Sequence, residues 1–305
     1  MKLAILLPCY QEEATIAATV TALRHARPDA TIYVYDNNST DLTAERARAA
    51  GAIVRSETRQ GKGNVVRRMF ADIEADVYVM CDGDTTYDAS RVGELIDAVV
   101  EQKIDMVVGA RMPNDQNAHR TGHAFGNALF NWIAEIVFGS QFKDIFSGYR
   151  AFSRRFVKSF PVITHGFEIE TELTVHAIDL NVPVLEVPMP FGSRPNGSNS
   201  KLRTVRDGLR ILWILFLLAK EVRPFGFFAM WAVLSGLVAL ILAAPLFATY
   251  LDVGLVPRLP TAILSTGVAL LSFMSLGCGI VLDSVSRGRH EKKRLQYLSI
   301  PAVGA

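Results

Sequence analysis

Cysteine is scarce in this chain, with three in 305 residues. Cys9, Cys81 and Cys278 lie far apart and share no metal-type spacing, which excludes a disulfide framework or a cysteine zinc site and suits small apolar fillers in a reducing compartment. Charge is also sparse, at 20% of residues against about 25% in soluble domains. The deficit is local: from Pro224 to Leu282 only Asp252 and Arg258 are charged. That excludes a wholly soluble protein. It also excludes a transporter of many spans, because the rest of the chain has ordinary globular composition and could bury a core. No secretory leader is expected, since the apolar run from Leu3 stops at Pro8, short of the roughly 7 to 15 residues of a signal core. No P-loop is present, and Gly61, Lys62 and Gly63 are followed by Val66 where a dinucleotide fingerprint needs a third glycine. The net charge of +2 says little; the basic residues sit against the membrane-length stretches, and no nucleic-acid partner is expected.

What the chain does have is two uncharged stretches, 224–251 and 259–282. At about 1.5 Å per residue, each exceeds the roughly 30 Å hydrocarbon core of a bilayer. Basic residues crowd one flank (Lys201, Arg203, Arg206, Arg210, Lys220, Arg223) and the other (Arg287, Arg289, Lys292, Lys293, Arg294), whereas the connecting loop holds Arg258 alone. The positive-inside rule then places both termini in the cytoplasm, with two spans in the inner (plasma) membrane. Between 200 and 223, Arg203, Arg206 and Arg210 line one helical face against Leu202, Val205, Leu209 and Leu212. That pattern predicts an amphipathic helix lying in the interface. The tail, 283–305, reads as a basic cytoplasmic segment.

In the first 199 residues, short apolar runs alternate with amphipathic ones. Leu3–Leu7, Thr31–Tyr35, Ala52–Arg55, Val77–Cys81 and Asp105–Gly109 predict strands; Glu12–Arg27, Asp41–Ala50, Gly63–Glu74 and Ser90–Lys103 predict helices. Such alternation implies an α/β domain with a mainly parallel sheet, whose ligands belong at the carboxyl ends of the strands. Polar groups gather there: Pro8, Tyr10 and Glu12 after the first strand, Asp36 to Asp41 after the second, Asp82 to Asp84 after the fourth. Any one cluster could be a surface turn or a helix cap. Asp82 and Asp84 are two carboxylates two residues apart, which would repel unless a cation lay between them. Mg²⁺ or Mn²⁺ suits such oxygen ligands and commonly bridges to a substrate's phosphates, which points to a nucleotide diphosphate. Lys62 either touches a phosphate or sits solvated. His119, His123, His165 and His176 have no metal spacing, and the last two read as surface or satisfied core groups.

The segments LPCYQEEATI, YDNNSTD, CDGD, DIFSGYRAFSRR, GFEIETEL and RPNGSNSKL together resemble family 2 glycosyltransferases of GT-A fold. Within that family they look most like the polyprenyl-phosphate glycosyltransferases, the group that includes dolichyl-phosphate mannose synthase. The resemblance spans roughly residues 3 to 203. It implies that Pro8, Tyr10, Glu12 and Asp36 line the base and ribose, that Asp82 lies beside the diphosphate, and that Asp84 ligates the metal. It further implies that Arg111, Arg120, His123 and Asn127 face an acceptor phosphate, that Ser147, Gly148, Tyr149 and Arg150 form the acceptor-side loop, and that Arg194 and Lys201 clamp phosphates. Three departures stand out: Gln11 where asparagine is common, Thr86 in place of a glutamine, and one extra residue between Arg194 and Lys201. The third metal ligand stays open. Arg150, Arg154 and Arg155 have a second reading, a solvated basic helix face near anionic lipid.

The expected activity is inverting transfer of a sugar from a UDP or GDP sugar to a polyprenyl phosphate, aided by Mg²⁺ or Mn²⁺; homo-oligomer formation stays open. The rival enzyme would glycosylate a lipid hydroxyl of diacylglycerol or ceramide type and would need a general base. Asp144 is the best-placed candidate, unless it simply pairs with a nearby arginine. A processive polysaccharide synthase would carry Q-x-x-R-W, absent here. A catalytically silent nucleotide-sugar sensor sits poorly with acidic residues at three strand ends.

Overall fold

Buried on both faces, the strands of a parallel sheet read as unbroken apolar runs, and β1, Leu3–Cys9 (LAILLPC), is one. The structure, a computed structural model, describes residues 1–112, 142, 144–162, 166, 168–192, 220 and 224–304. It divides into two compact units, 1–212 with 292–305, and 213–291.

In the first unit β1 is followed by α1 (Ile16–Ala26), β2 (Thr31–Asp36), α2 (Thr43–Ala49), β3 (Ile53–Ser56), α3 (Lys62–Asp72), β4 (Val77–Met80), α4 (Val92–Val100) and β5 (Met106–Arg111). Then come β6 (Arg150–Ser153), α5 (Arg154–Ser159), α6 (Ile169–Leu180) and β7 (Val184–Met189). The seven strands form one sheet in the order β3-β2-β1-β4-β6-β5-β7. All pairings are parallel except those of β6, which runs antiparallel to β4 and to β5. The start of β6 therefore lies at the same edge as the ends of its neighbours.

Alternate residues of β1 serve opposite layers, as a period of two requires. Leu3, Ile5 and Leu7 pack with Ile16, Val20 and Leu23 of α1 and with Leu95, Ile96 and Val99 of α4. Ala4 and Leu6 pack with Val65, Val66, Met69 and Phe70 of α3, Phe156 of α5, and Ile169 and Leu173 of α6. Each such large apolar side chain contributes about 1.5–3 kcal/mol. Pro8 is tolerated in a central strand because β1 pairs with β4 only as far as Leu6. Ser153 starts α5 by accepting from Phe156 N, and Asn181 ends α6 in the left-handed region at φ 50°. His176 of α6 meets Phe156 and Phe160 at 5.0 Å, and burial lowers its pKa to about 3. It is a core group.

The second unit holds α7 (Pro224–Val253) and most of α8 (Leu259–Leu298), both long and apolar enough to cross a membrane. Ser265, Ser272 and Ser275 of α8 donate to the carbonyls of Ala239, Ala232 and Phe228 of α7. These bonds lace the pair without charged groups. The expected amphipathic helix over 200–223 lies outside the described residues apart from Lys220.

The chain end, expected as a basic tail over 283–305, is largely helical. α8 runs on to Leu298, and from Lys292 the chain belongs to the first unit. There Lys293 pairs with Asp179 at 2.6 Å, Arg294 donates to the Leu180 carbonyl, and Tyr297 is buried. The Tyr297 hydroxyl donates to Asp105 (2.8 Å), whose carboxylate also takes Ser153 Oγ and a two-pronged contact from Arg155. Arg154 likewise pairs with Glu74. Arg155 is thus committed to a buried carboxylate, whereas Arg154 stays on the surface in a solvent-exposed pair.

Candidate active site

The carboxyl edge of the sheet collects the polar residues at 9–12, 36–41 and 82–86, joined by 144–150. At β1, Gln11 takes a positive φ of 55°, its backbone N–H donates to Ser39 Oγ, and its side chain donates to Thr40 Oγ1 at 2.7 Å. Glu12 N–H donates to Thr43 Oγ1. The loops after β1 and β2 are thus tied together, and Tyr10 stays exposed above them. Asn37 pins the next loop: its amide donates to the carbonyls of Glu57 and Arg59, and its Oδ1 accepts from Gly61 N–H. Asp36 is buried at the end of β2. Its Oδ2 accepts from Ser39 N–H, while Oδ1 has no hydrogen-bond partner among the described residues. A buried carboxylate oxygen lacking a donor is costly, so it suits the hydroxyl or N–H of a ligand.

After β4, Asp82 and Asp84 behave differently. Asp84 is almost fully buried, and its Oδ1 accepts from Thr86 N–H and Thr86 Oγ1, at 3.2 and 2.5 Å. Asp82 keeps 29% of its side chain exposed and meets Lys62 Nζ at 2.5 Å. Lys62 is not solvated; a second carboxylate, Glu170 at the start of α6, holds the same ammonium at 2.5 Å. Burial works against the lysine's charge, but Asp82 and Glu170 overcome it and raise its pKa above the ordinary value. Burial pushes the Glu170 carboxyl up, with Asp82 adding to this and Lys62 opposing it. Glu170 carried no expected role. Its signal in the sequence was the segment GFEIETEL, which carries the family resemblance but does not say which of its carboxylates meets Lys62.

Gly148 lies against Asp82, and a Cβ there would overlap the carboxylate. Its N–H donates to Tyr87 Oη at 2.9 Å, and Tyr87 packs on Tyr149 and Phe191. The side chains of Ser147 and Arg150, expected on the acceptor side, are buried and turn inward. Ser147 Oγ donates inward to the Gly109 carbonyl at 2.6 Å. Arg150 is fully buried; it donates to the carbonyls of Ser147 and Ile145 and to Thr174 Oγ1. Burial lowers its pKa, and its work is to hold the 145–148 turn. Arg111 does lie at the edge, 34% exposed, in a two-pronged ion pair with Asp144 at 2.7–2.8 Å. Burial favours the neutral form of Asp144, yet Arg111 prevails and brings its pKa below the usual carboxylate range. Arg120, His123, Asn127, Arg194 and Lys201 lie outside the described residues.

Asp82 and Asp84 carry carboxylate oxygens of the kind that suit Mg²⁺ or Mn²⁺, and Gly148, lacking a Cβ, lets the 145–148 turn close directly against the Asp82 carboxylate. Among the described residues no group of three or more His, Cys, Asp or Glu could hold a metal, so water and substrate would complete the shell.

A mainly parallel sheet with acidic strand ends on one edge is the GT-A architecture. The family model described as Glycosyl transferase family 2 matches residues 4–160, and the chain belongs to that family. Glycosyltransferase AglJ of Haloferax volcanii is 33% identical over 298 residues, covering 96% of this chain and 97% of the relative. The dolichyl-phosphate hexose transferase of the same organism is 26% identical over 209 residues, 68% of this chain and 90% of its own. Among solved structures, glucosyl-3-phosphoglycerate synthase from Mycobacterium tuberculosis, in complex with Mn²⁺, uridine-diphosphate-glucose and phosphoglyceric acid, shares the fold. Its TM-score is 0.58 at 22% identity, over 72% of this chain and 79% of that one.

Proposed function

We propose that this chain transfers a sugar, with inversion, from a UDP or GDP sugar to a polyprenyl phosphate at the cytoplasmic face of the membrane. The observation that carries the reading is one chain with both an acidic carboxyl edge built around Asp82 and Asp84 and two helices of membrane-crossing length. The dolichyl-phosphate hexose transferase named above supports the acceptor class. Asp36 Oδ1 accepts a hydrogen bond from the nucleoside, and Tyr10 offers it an exposed ring. A divalent cation at Asp82 and Asp84 supplies charge neutralisation for the departing diphosphate. Arg111, oriented by Asp144, presents its exposed edge to the acceptor phosphate. Arginine suits that task because its fork matches phosphate oxygens.

The commitment of Asp144 to Arg111 also bears on the rival substrate. A lipid hydroxyl needs a proton acceptor, whereas a phosphate monoester is already ionised near neutrality and needs only positioning. A carboxylate locked in a two-pronged pair is a poor base. The test is to incubate the full chain in detergent with UDP and GDP sugars and, separately, polyprenyl phosphate, polyprenol and diacylglycerol. Product only with polyprenyl phosphate is expected; transfer to either neutral alcohol would overturn the acceptor assignment.

A further inference from the structure

Lys62 stands where a lysine has no obvious reason to be. It starts α3, its side chain is buried, and its ammonium bridges Asp82 and Glu170 at 2.5 Å each. Asp82 is therefore engaged in the structure by a positive charge that belongs to the chain itself. Glu170 has a second oxygen, Oε2, that is buried without a hydrogen-bond partner among the described residues. A lysine has a flexible stem and three donors, so on leaving Asp82 it could take up Glu170 Oε2 with no net loss of hydrogen bonds.

We propose that Lys62 is an internal competitor for the cation site: it occupies the Asp82 carboxylate until a divalent cation arrives, then withdraws onto Glu170. Lys62 and Glu170 act as positioning residues that set the affinity of Asp82 and Asp84 for the metal. The inference rests on the metal-assisted reading above. It accounts for features that a metal ligand pair alone leaves unexplained: a lysine held inside an acidic cluster, and a buried glutamate with one idle oxygen. It also implies that the two carboxylates do not repel each other while the site is empty, because the lysine stands in for the missing charge.

The experiment measures Mn²⁺ binding to the full chain in detergent, by titration calorimetry or by the electron-spin signal of free Mn²⁺, with no nucleotide or acceptor present. Lys62→Met should bind Mn²⁺ more tightly by at least about fivefold; removing a unit charge ~4 Å from a divalent ion is worth about thirtyfold even at the dielectric constant of water. Glu170→Gln should bind more weakly, because Lys62 is left with Asp82 as its sole anion. Lys62→Met alone strands Glu170 in the interior and could unfold the domain. The double variant Lys62→Met/Glu170→Gln removes the pair together and has the formal charge of the parent. Competition predicts that the double variant binds Mn²⁺ more tightly than the parent, while equal affinity would reduce Lys62 to a general field effect and overturn the proposal. If Mn²⁺ does not bind the unaltered chain, the metal reading itself falls, and this inference with it. If Mn²⁺ binds the unaltered chain and all three variants alike, the inference falls alone.

Discussion

Asp82 and Asp84 are the same side chain two residues apart, yet one faces a lysine at a partly open surface and the other is walled in by Thr86. Asp84→Asn keeps an acceptor oxygen for Thr86, so the fold should survive while turnover drops at least about a hundredfold, the scale of losing a main electrostatic stabiliser. Circular dichroism together with a sugar-transfer assay checks both halves, and full activity in Asp84→Asn or in chelator would remove the metal from the reaction. At Arg111 and Asp144, Arg111→Ala should raise the acceptor KM or abolish transfer, whereas Asp144→Asn should act more mildly. The pair also has a pH signature. Because Arg111 holds the folded pKa of Asp144 below the unfolded value near 4, the carboxylate adds stability above about pH 4 that is lost as pH falls through the folded value. Thermal melts of Asp144→Asn should accordingly show a shallower loss below about pH 4 than those of the parent. Residue types at strand ends were legible in the sequence because chain spacing brings them there. Which partner each would find was not. Arg150 read as an acceptor-side or solvated cation and Lys62 as a phosphate contact or a solvated lysine, because nothing in their neighbourhoods along the chain announces Thr174 or Glu170, more than 20 and 100 residues away.

Among the elements, the five strands and four helices of the first half follow their expected positions within a few residues, most of them because they carry a clear apolar run or period; α2 and β3 do so more weakly. The later strands β6 and β7 gave no such signal. β6 is four residues long, RAFS, and begins with an arginine. β7 contains Pro188, tolerable because β7 pairs only with β5. The docked end of α8 was equally hidden: Lys292 to Arg294 read as solvated charge, and only the fold brings Asp179 and Asp105 to meet Lys293 and Tyr297. Tyr297→Phe removes one hydrogen bond to a buried carboxylate and should cost about 1 kcal/mol. That loss corresponds to a fall in Tm of about 2–4 °C for a unit of this size, readable by calorimetry on the detergent-solubilised chain. An unchanged Tm would mean that the Tyr297–Asp105 hydrogen bond contributes nothing to the first unit.

For the whole molecule, composition alone marked the division into a globular part and a helical pair, because the dearth of charge from Pro224 to Leu282 is a property of sequence and not of packing. The proposed orientation rests on the basic flanks of the two apolar helices. A cysteine placed at Gly254, in a Cys278→Ser background, should react with an impermeant thiol reagent added outside intact cells, and positions in the first unit should not. The reverse pattern would separate the site from cytoplasmic nucleotide sugars.

The reversed strand β6 has a consequence for how such a chain can change over evolution. Because β5 ends and β6 begins at one edge, with Val108 beside Arg150 in register, the stretch from Met112 to Tyr149 leaves and rejoins the sheet at nearly the same point. Material can be added, lost or exchanged there without re-threading a strand, so under the proposed function an acceptor-side segment could diverge while the ends of β1, β2 and β4 stay fixed. Grafting residues 113–143 from a relative that uses a different acceptor should therefore alter which acceptor is glycosylated and leave the nucleotide-sugar preference as it was. Paired assays of the chimera against two acceptors and two donors would read this out, and a shift in donor preference would count against such modularity.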